Sequence, residues 1–399
     1  MSDNQRIFYA TQAVGIHGHG DGGDVLPAEM VHGLQSVGMN TTFNLEQAFE
    51  LGQIEIYENI EGTPDVEVTL EKVLDGYPLL YHMASKQGLD GTPGGSGVVG
   101  RSKSQCDLRL GIFSDSQNNV SANNAAAEVE VYCSGLFISS VSYTIPTDGS
   151  MTESVTLVGN NKQWLIAGQK LTAAAVNNFD GSDSPAALTS GVHTGWQTAS
   201  GGVQQREDVL MSGTMLPTSI NGVIGSGYGN AVNFSNGNNR VHVQSFSVST
   251  DFSREDILEL GRKTPYSRPA TFPIEVTCEI EAITTSGDFV DAYEFGDSAL
   301  DGTTSSGNNT TTESIFLCTR AGYAWDLGAK NRLSSVSYGG GDATGGNASC
   351  TYSYTNFNEL DVQDYNSQKY VGFEILKQLQ SADFTAAIFP TGKFFKLQS

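Results

Sequence analysis

The chain has 399 residues, 38% of them hydrophobic, and a formal charge of −23 from 44 acidic and 21 basic side chains. That balance excludes holding nucleic acid by phosphate neutralisation, which takes clustered Lys and Arg, although an acidic chain can still lie beside DNA and repel it. No apolar run reaches the length of a membrane span and no leader-like segment opens the chain, so a soluble protein made in the cytoplasm is expected, with room for two to three domains.

Abundant glycine (46 residues) and many polar turns favour short strands. Residues 1–30 read as an N-terminal strand (Arg6–Val14) and a loop, GIHGHGDGGD. His17, His19, Asp21 and Asp24 in that loop lack any fixed metal-ligand spacing, and a mobile polar loop is the expectation. Gln35–Gly52, QSVGMNTTFNLEQAFELG, alternates up to Thr42 and then shifts to a helical period. Asn44 stands as an N-cap, Phe43 as its hydrophobic staple, and Gly52 where a helix stop needs positive φ, so strand, corner and a helix of about two turns are predicted. Gln53–Ile60 and Val66–Leu74 alternate again, and Tyr77–Met83 fits a short helix entered through Pro78.

Ser85–Gln105 is Gly-rich and reads as a long flexible excursion ordered by a neighbouring subunit. Within it Gly95–Gly100 fits the dinucleotide pattern but lacks a flanking strand and helix, so it is assigned to chance. Cys106–Phe113, Glu128–Leu136, Ser139–Ile145 and Glu153–Val158 complete a set of strands, with Asp148-Gly149 as a hairpin turn. Lys162–Asn239 is the least repetitive stretch and ends in a Gly/Ser/Asn-rich segment.

Gln244–Gly261, QSFSVSTDFSREDILELG, then matches Gln35–Gly52 at eight of eighteen ungapped positions. About one match is expected by accident from average residue usage. The matches include Phe43/Phe252, Glu46/Glu255, Glu50/Glu259 and Gly52/Gly261, and Ser253 takes the N-cap place of Asn44. Val66–Glu71 returns as Ile274–Glu279, and Ser139–Tyr143 returns letter for letter as Ser334–Tyr338. Three collinear echoes predict a mainly β protein of two tandem copies of one domain, each with a short helix. The boundaries are 31–165 for the first copy, 166–239 for its end and the connection, 240–366 for the second, and 367–399 for a C-terminal helix (Tyr370–Leu379) and arm. Further strands are expected near Glu313–Arg320, Leu333–Tyr338 and Ala348–Tyr354.

No Ser/His/Asp constellation stands out, and the carboxylate pairs Glu46/Glu50 and Glu255/Glu259 suit a solvated face better than acid–base chemistry. The five cysteines, an odd and widely spaced set, suit buried free thiols. No enzyme, cofactor or metal site is expected. Glu55, Glu58 and Glu61 in the first copy face a corresponding basic set in the second, Arg262, Lys263 and Arg268. This predicts complementary inter-subunit surfaces, with two unrelated solvated faces as the plain alternative.

In order and ensemble these segments (VHGLQSVGMNTTFNLEQAFELGQIEIYENIEGTPDVEVTLEKVLDGYPLLYH, SSVSYTIPTDGSMTESVTLVGN and VQSFSVSTDFSREDILELGRKTPYSRPATFPIEVTCEIEAI) resemble the major tail tube protein of tailed bacteriophages. The resemblance covers most of residues 6–300. It implies two tandem copies of a tail-tube-like β-sandwich/half-barrel domain of packed antiparallel sheets, each with a flanking short helix, and rings of copies of the chain stacked into a virion tail tube. For a duplicated chain it implies trimeric, pseudo-sixfold rings of the kind found in long flexible tails. The implied partners are the chain itself, other tail and baseplate proteins, and double-stranded DNA that passes without specific binding. A baseplate hub or distal tail ring protein is the nearest alternative, and a secreted carbohydrate-binding or carbohydrate-cleaving β-protein is the alternative from a different class.

Overall fold

Alternation of apolar and polar residues sets which faces are buried. Val66, Val68 and Leu70 are buried while Glu67 and Glu71 are exposed, and Val276, Cys278 and Ile280 are buried while Glu275 and Glu279 are exposed. The computed structural model describes residues 6–7, 9–19, 29–52, 54–85, 97–112, 129–166, 202–210, 216–217, 220, 242–283, 313–319, 323–341 and 346–364. It is mainly β, with antiparallel pairing throughout.

The N-terminal half carries β1 (Gln12–Gly18), β2 (Glu29–Met30), β3 (Leu34–Thr42), β4 (Leu45–Phe49), β5 (Ile56–Glu61) and β6 (Asp65–Val73). Two short helices follow, α1 (Leu80–Ala84) and α2 (Val98–Arg101), and then β7 (Gln105–Ile112), β8 (Val129–Pro146), β9 (Thr152–Gly159) and β10 (Asn161–Ile166). The C-terminal half carries β11 (Val209–Leu210), β12 (His242–Asp251), β13 (Glu275–Ile283), β14 (Phe316–Thr319), β15 (Tyr323–Asp326), β16 (Arg332–Gly339), β17 (Ser349–Phe357) and β18 (Asp361–Asp364).

Two sheet orders recur. β3, β6, β9 and the second half of β8 pair in that order, as do β12, β13, β17 and β16. β1, β7, the first half of β8 and β10 pair in that order, as do β11, β14, β15 and β18. Registers agree in detail. β3 slips against β6 at Gln35, between Leu34 and Ser36, and β12 slips against β13 at Gln244, between Val243 and Ser245. β8 slips against β9 at Ser139, and β16 slips against β17 at Ser334. At the first pair of bulges the side chains repeat as well. Gln35 donates to the Gly33 carbonyl at 3.2 Å and Gln244 to His242 at 3.1 Å, while Ser36 reaches Glu71 and Ser245 reaches Glu281, each at 3.4 Å. The Gln-Ser pair that opens the repeated stretch is thus a bulge signature.

Several expectations need correction. Neither copy of the repeated stretch is helical. Asn44 ties the two ends of a hairpin together, donating to the Thr63 carbonyl and the Asp65 carboxylate at 2.9 Å each, and β4 pairs with β5. The second copy makes single bridges, Arg254 to Ala270 and Ile257 to Ser267. Two turns of isolated helix are marginal without a face to bury, so cross-strand pairing wins. Gly52 and Gly261 do take positive φ, +95° and +87°, but at arm tips instead of helix ends. The Val66–Glu71 echo is displaced by two residues, because the ladders make Val276 the counterpart of Val66, an even shift that keeps the same face.

Of the excursion Ser85–Gln105, residues 97–105 pack into their own chain, and residues 86–96 lie outside the described residues. Val98 donates to the Leu360 carbonyl at 3.0 Å, and buried Arg101 donates to Ser85. The first strand begins at Gln12 instead of Arg6, and Glu128–Leu136 and Ser139–Ile145 are one strand, β8. The predicted helix Tyr370–Leu379 lies outside the described residues. The Asp148-Gly149 hairpin and the five buried free cysteines match expectation.

α1 fixes where the halves meet. Glu153 on β9 accepts from the N–H groups of Leu80 and Tyr81 at 2.6 and 3.0 Å and from the Tyr143 hydroxyl at 2.9 Å. On the other side His82 bonds the Val362 carbonyl at 2.8 Å, and the Tyr323 hydroxyl donates to the Tyr77 carbonyl at 2.6 Å. The apolar core runs through both halves without a break.

Candidate assembly surface

The second half of β8 pairs with β12, joining the two recurring sheets edge to edge: Tyr143 opposite Val248, Ser142 opposite Ser249, Val141 opposite Thr250. The joined strands run β3-β6-β9-β8-β12-β13-β17-β16. Their outward rows are mostly Ser, Thr and acidic residues, with Gly38, Asn40, Val158 and Phe357 among them. Glu67, Glu71, Asp251, Glu275, Glu279 and Glu281 stand there against one guanidinium, Arg332, at the far end. Lys72, on the inward row, is fully buried, donating to the His32 carbonyl and to Asp75 at 2.7 Å each.

Sealing the β8·β12 joint is the root of an arm, 252–271. The Phe252 N–H donates to the Ser139 carbonyl at 2.8 Å, and its ring is 1% exposed. The Arg254 guanidinium lies 5.0 Å from the Phe137 ring centre and 5.3 Å from that of Phe252, with Nε donating to the Ile138 carbonyl and Nη1 to the carbonyls of Ser102 and Arg268. Burial pulls the Arg254 pKa down to about 10, well above neutrality, so it stays charged.

At the two ends of the eight strands the same positions are open. Phe43, the counterpart of Phe252, is 69% exposed, and Tyr338, the counterpart of Tyr143, is 54% exposed where Tyr143 is 1%. The β4–β5 arm also exposes Leu45, Phe49, Leu51, Ile54, Tyr57 and Ile60. An isolated two-stranded hairpin with that surface is marginal in water.

The residues predicted to join subunits fall on these arms. Glu55, Glu58 and Glu61 are exposed on the first arm. On the second, Arg262 pairs with Glu259 at 3.7 Å and lies over the Tyr266 ring, and the Lys263 carbonyl accepts from the Thr63 hydroxyl. Arg268 is 7% exposed, held by Asp65 at 2.6 Å and Asp256 at 2.5 Å within the chain. The structure thus brings Arg268 to Asp65 and to none of the three glutamates. Arg254, Arg332, Tyr338 and the two phenylalanines were missed as site residues. The Phe43/Phe252 identity is the sequence signal for this place, and as local pattern it fits a helix staple equally well.

No protein-family model and no curated protein matches the sequence. Among solved structures, the chain is similar to a chain of the anti-feeding prophage cap, a tube-terminating cap (13% identity, TM-score 0.28, covering 42% of this chain and 95% of that one). It is also similar to a chain of the sheath-tube complex of an extracellular contractile injection system, PVC, in the extended state (12%, 0.27, 41% and 94%). A third likeness is to a chain of the anti-feeding prophage baseplate (9%, 0.28, 42% and 99%). At these TM-scores the likenesses carry no argument about function.

Proposed function

We propose that the protein is a non-enzymatic structural component of a phage-type tail. In this reading it is a duplicated β-sandwich chain that closes into rings with copies of itself, and the rings stack into a tube through which DNA passes. One observation carries this: eight strands present one acidic, small-residue face and end in two exposed edge strands that are counterparts of the two joined in the middle. Exposed edges of that length call for a partner, and closing a ring removes them all. Carboxylates facing a lumen keep a duplex from sticking to the wall, because binding needs cations that release counterions. Three chains per ring, six sandwich positions, is the number the sequence resemblance supports.

Negative-stain electron microscopy of the purified protein over a concentration series tests this. Stacked tubes with a threefold, pseudo-sixfold end view are expected. Isolated rings that never stack would move the protein to a hub or distal ring role, and particles of single chains at every concentration would overturn the assembly reading.

A further inference from the structure

We infer that the joint between neighbouring copies repeats the joint inside the chain, with β16 of one copy pairing antiparallel to β3 of the next in a fixed register. The inference rests on the ring reading above and names its partner surfaces. Counterparts follow from the ladders. Tyr143, Ser142 and Val141 correspond to Tyr338, Ser337 and Val336, because both strands slip at the same serine before them. Val248, Ser249 and Thr250 correspond to Met39, Asn40 and Thr41 by the same reasoning from the Gln35 and Gln244 bulges. The pairs observed across β8·β12 therefore become Tyr338 opposite Met39, Ser337 opposite Asn40 and Val336 opposite Thr41, each between two copies. Inward residues buried at the internal joint are all less buried at the free edges: Val141 and Val248 are buried, Val336 and Met39 only half-buried.

The arm root follows the strands. Phe43 takes the seat of Phe252, its N–H on the Ser334 carbonyl of the neighbouring copy as Phe252 donates to Ser139. The cation over the ring changes sides. At the internal joint Arg254 comes from the arm and stacks on Phe137 of β8. At the joint between copies the arm supplies Leu45 in its place, and the counterpart of Phe137 on β16 is Arg332, since Phe137 pairs with Val158 as Arg332 pairs with Thr355. Arg332 thus lies over Phe43 of the next copy. One arginine and one apolar residue serve each joint, in opposite order, which also disfavours two copies meeting by like edges.

The test is cross-linking under mild oxidation, with every native cysteine buried. Directly opposed strand residues have Cα atoms about 4.5–5.5 Å apart, within disulfide reach, and residues two positions out of register do not. Asn40→Cys/Ser337→Cys should give a ladder of linked chains ending at one closed species, Ser142→Cys/Ser249→Cys should link within a chain, and Asn40→Cys/Ser335→Cys should give no ladder. Phe43→Ala and Arg332→Ala, read by light scattering, should each raise the concentration needed for assembly roughly tenfold or more. Tubes or rings that form while Asn40→Cys/Ser337→Cys stays unlinked would overturn this joint and leave the tail reading standing. Chains that never associate would remove both.

Discussion

His82 sits fully buried on α1, with its Nε2 against the Val362 carbonyl, so the neutral ring donates there. Burial, with the nearby Arg101 guanidinium adding to it, pulls its pKa down to about 3. The unfolded chain, whose histidine titrates at about 6.5, takes up this proton below that pH while the fold does not, so stability is full above about pH 6.5 and falls as pH drops toward 3. Between pH 7 and pH 5 this group alone should remove about 2 kcal/mol. His82→Gln, which keeps a donor without titrating, should be less stable at pH 7 but lose about 2 kcal/mol less over that interval, measured by urea unfolding at each pH. Phe252 and Phe43 make a second comparison at this scale. Phe252→Ala empties a filled site and should cost about 3–5 kcal/mol of subunit stability, whereas Phe43→Ala should stay within about 0.5 kcal/mol. Equal losses in thermal unfolding of the unassembled chain would show that Phe43 is already covered.

The β4–β5 arm is held to the sheet by its root, through Asn44, Thr63 and Asp65. Replacing residues 45–60 with a short turn should leave the β3·β6 ladder and the thermal midpoint of the unassembled chain nearly unchanged while abolishing rings. A large drop in that midpoint would instead make the arm part of the subunit core. Strand existence here was legible in the sequence: Val66–Leu74, Cys106–Phe113, Glu153–Val158 and Ile274–Ile283 fall within a residue or two of β6, β7, β9 and β13, because period-two burial writes itself into the residue types. The arms differ from the helical expectation because LEQAFELG and REDILELG carry a helical period whose apolar residues stand exposed on the arms instead of lining a buried helix face, which local pattern cannot reveal. Nor was the long-range pairing of the short strands legible. β1 and β11 lie far from their partners in sequence, and β11 is only Val209–Leu210.

Across the whole molecule, the outward acidic face predicts behaviour toward DNA. Glu71→Lys/Glu279→Lys/Glu281→Lys changes three exposed or half-exposed side chains on that face and should leave the fold intact. Assembled variant tubes should retain duplex DNA at low salt and release it steeply as salt rises, with a log–log slope of about −0.9 per phosphate contacted, and wild-type tubes should retain none. Equal retention by both would place this face away from the lumen. The two halves also differ in how their sheets connect. β8 is a single strand that passes from one sheet into the other through a bend at Gly135 (φ +66°), with β7 and β10 beside its first half and β9 and β12 beside its second. Its counterpart is cut into β15 and β16 by a corner at Gly328 (φ +68°), where buried Asn331 and Asn356 bond each other at 2.6 Å and satisfy the carbonyls of Leu327, Gly328 and Glu313. In mechanical terms the N-terminal half is one bent but continuous beam and the C-terminal half two beams joined by a pin of five residues, 327–331. Bending strain in a filament of such chains would then collect at Leu327–Asn331, making every second position around the wall the compliant one.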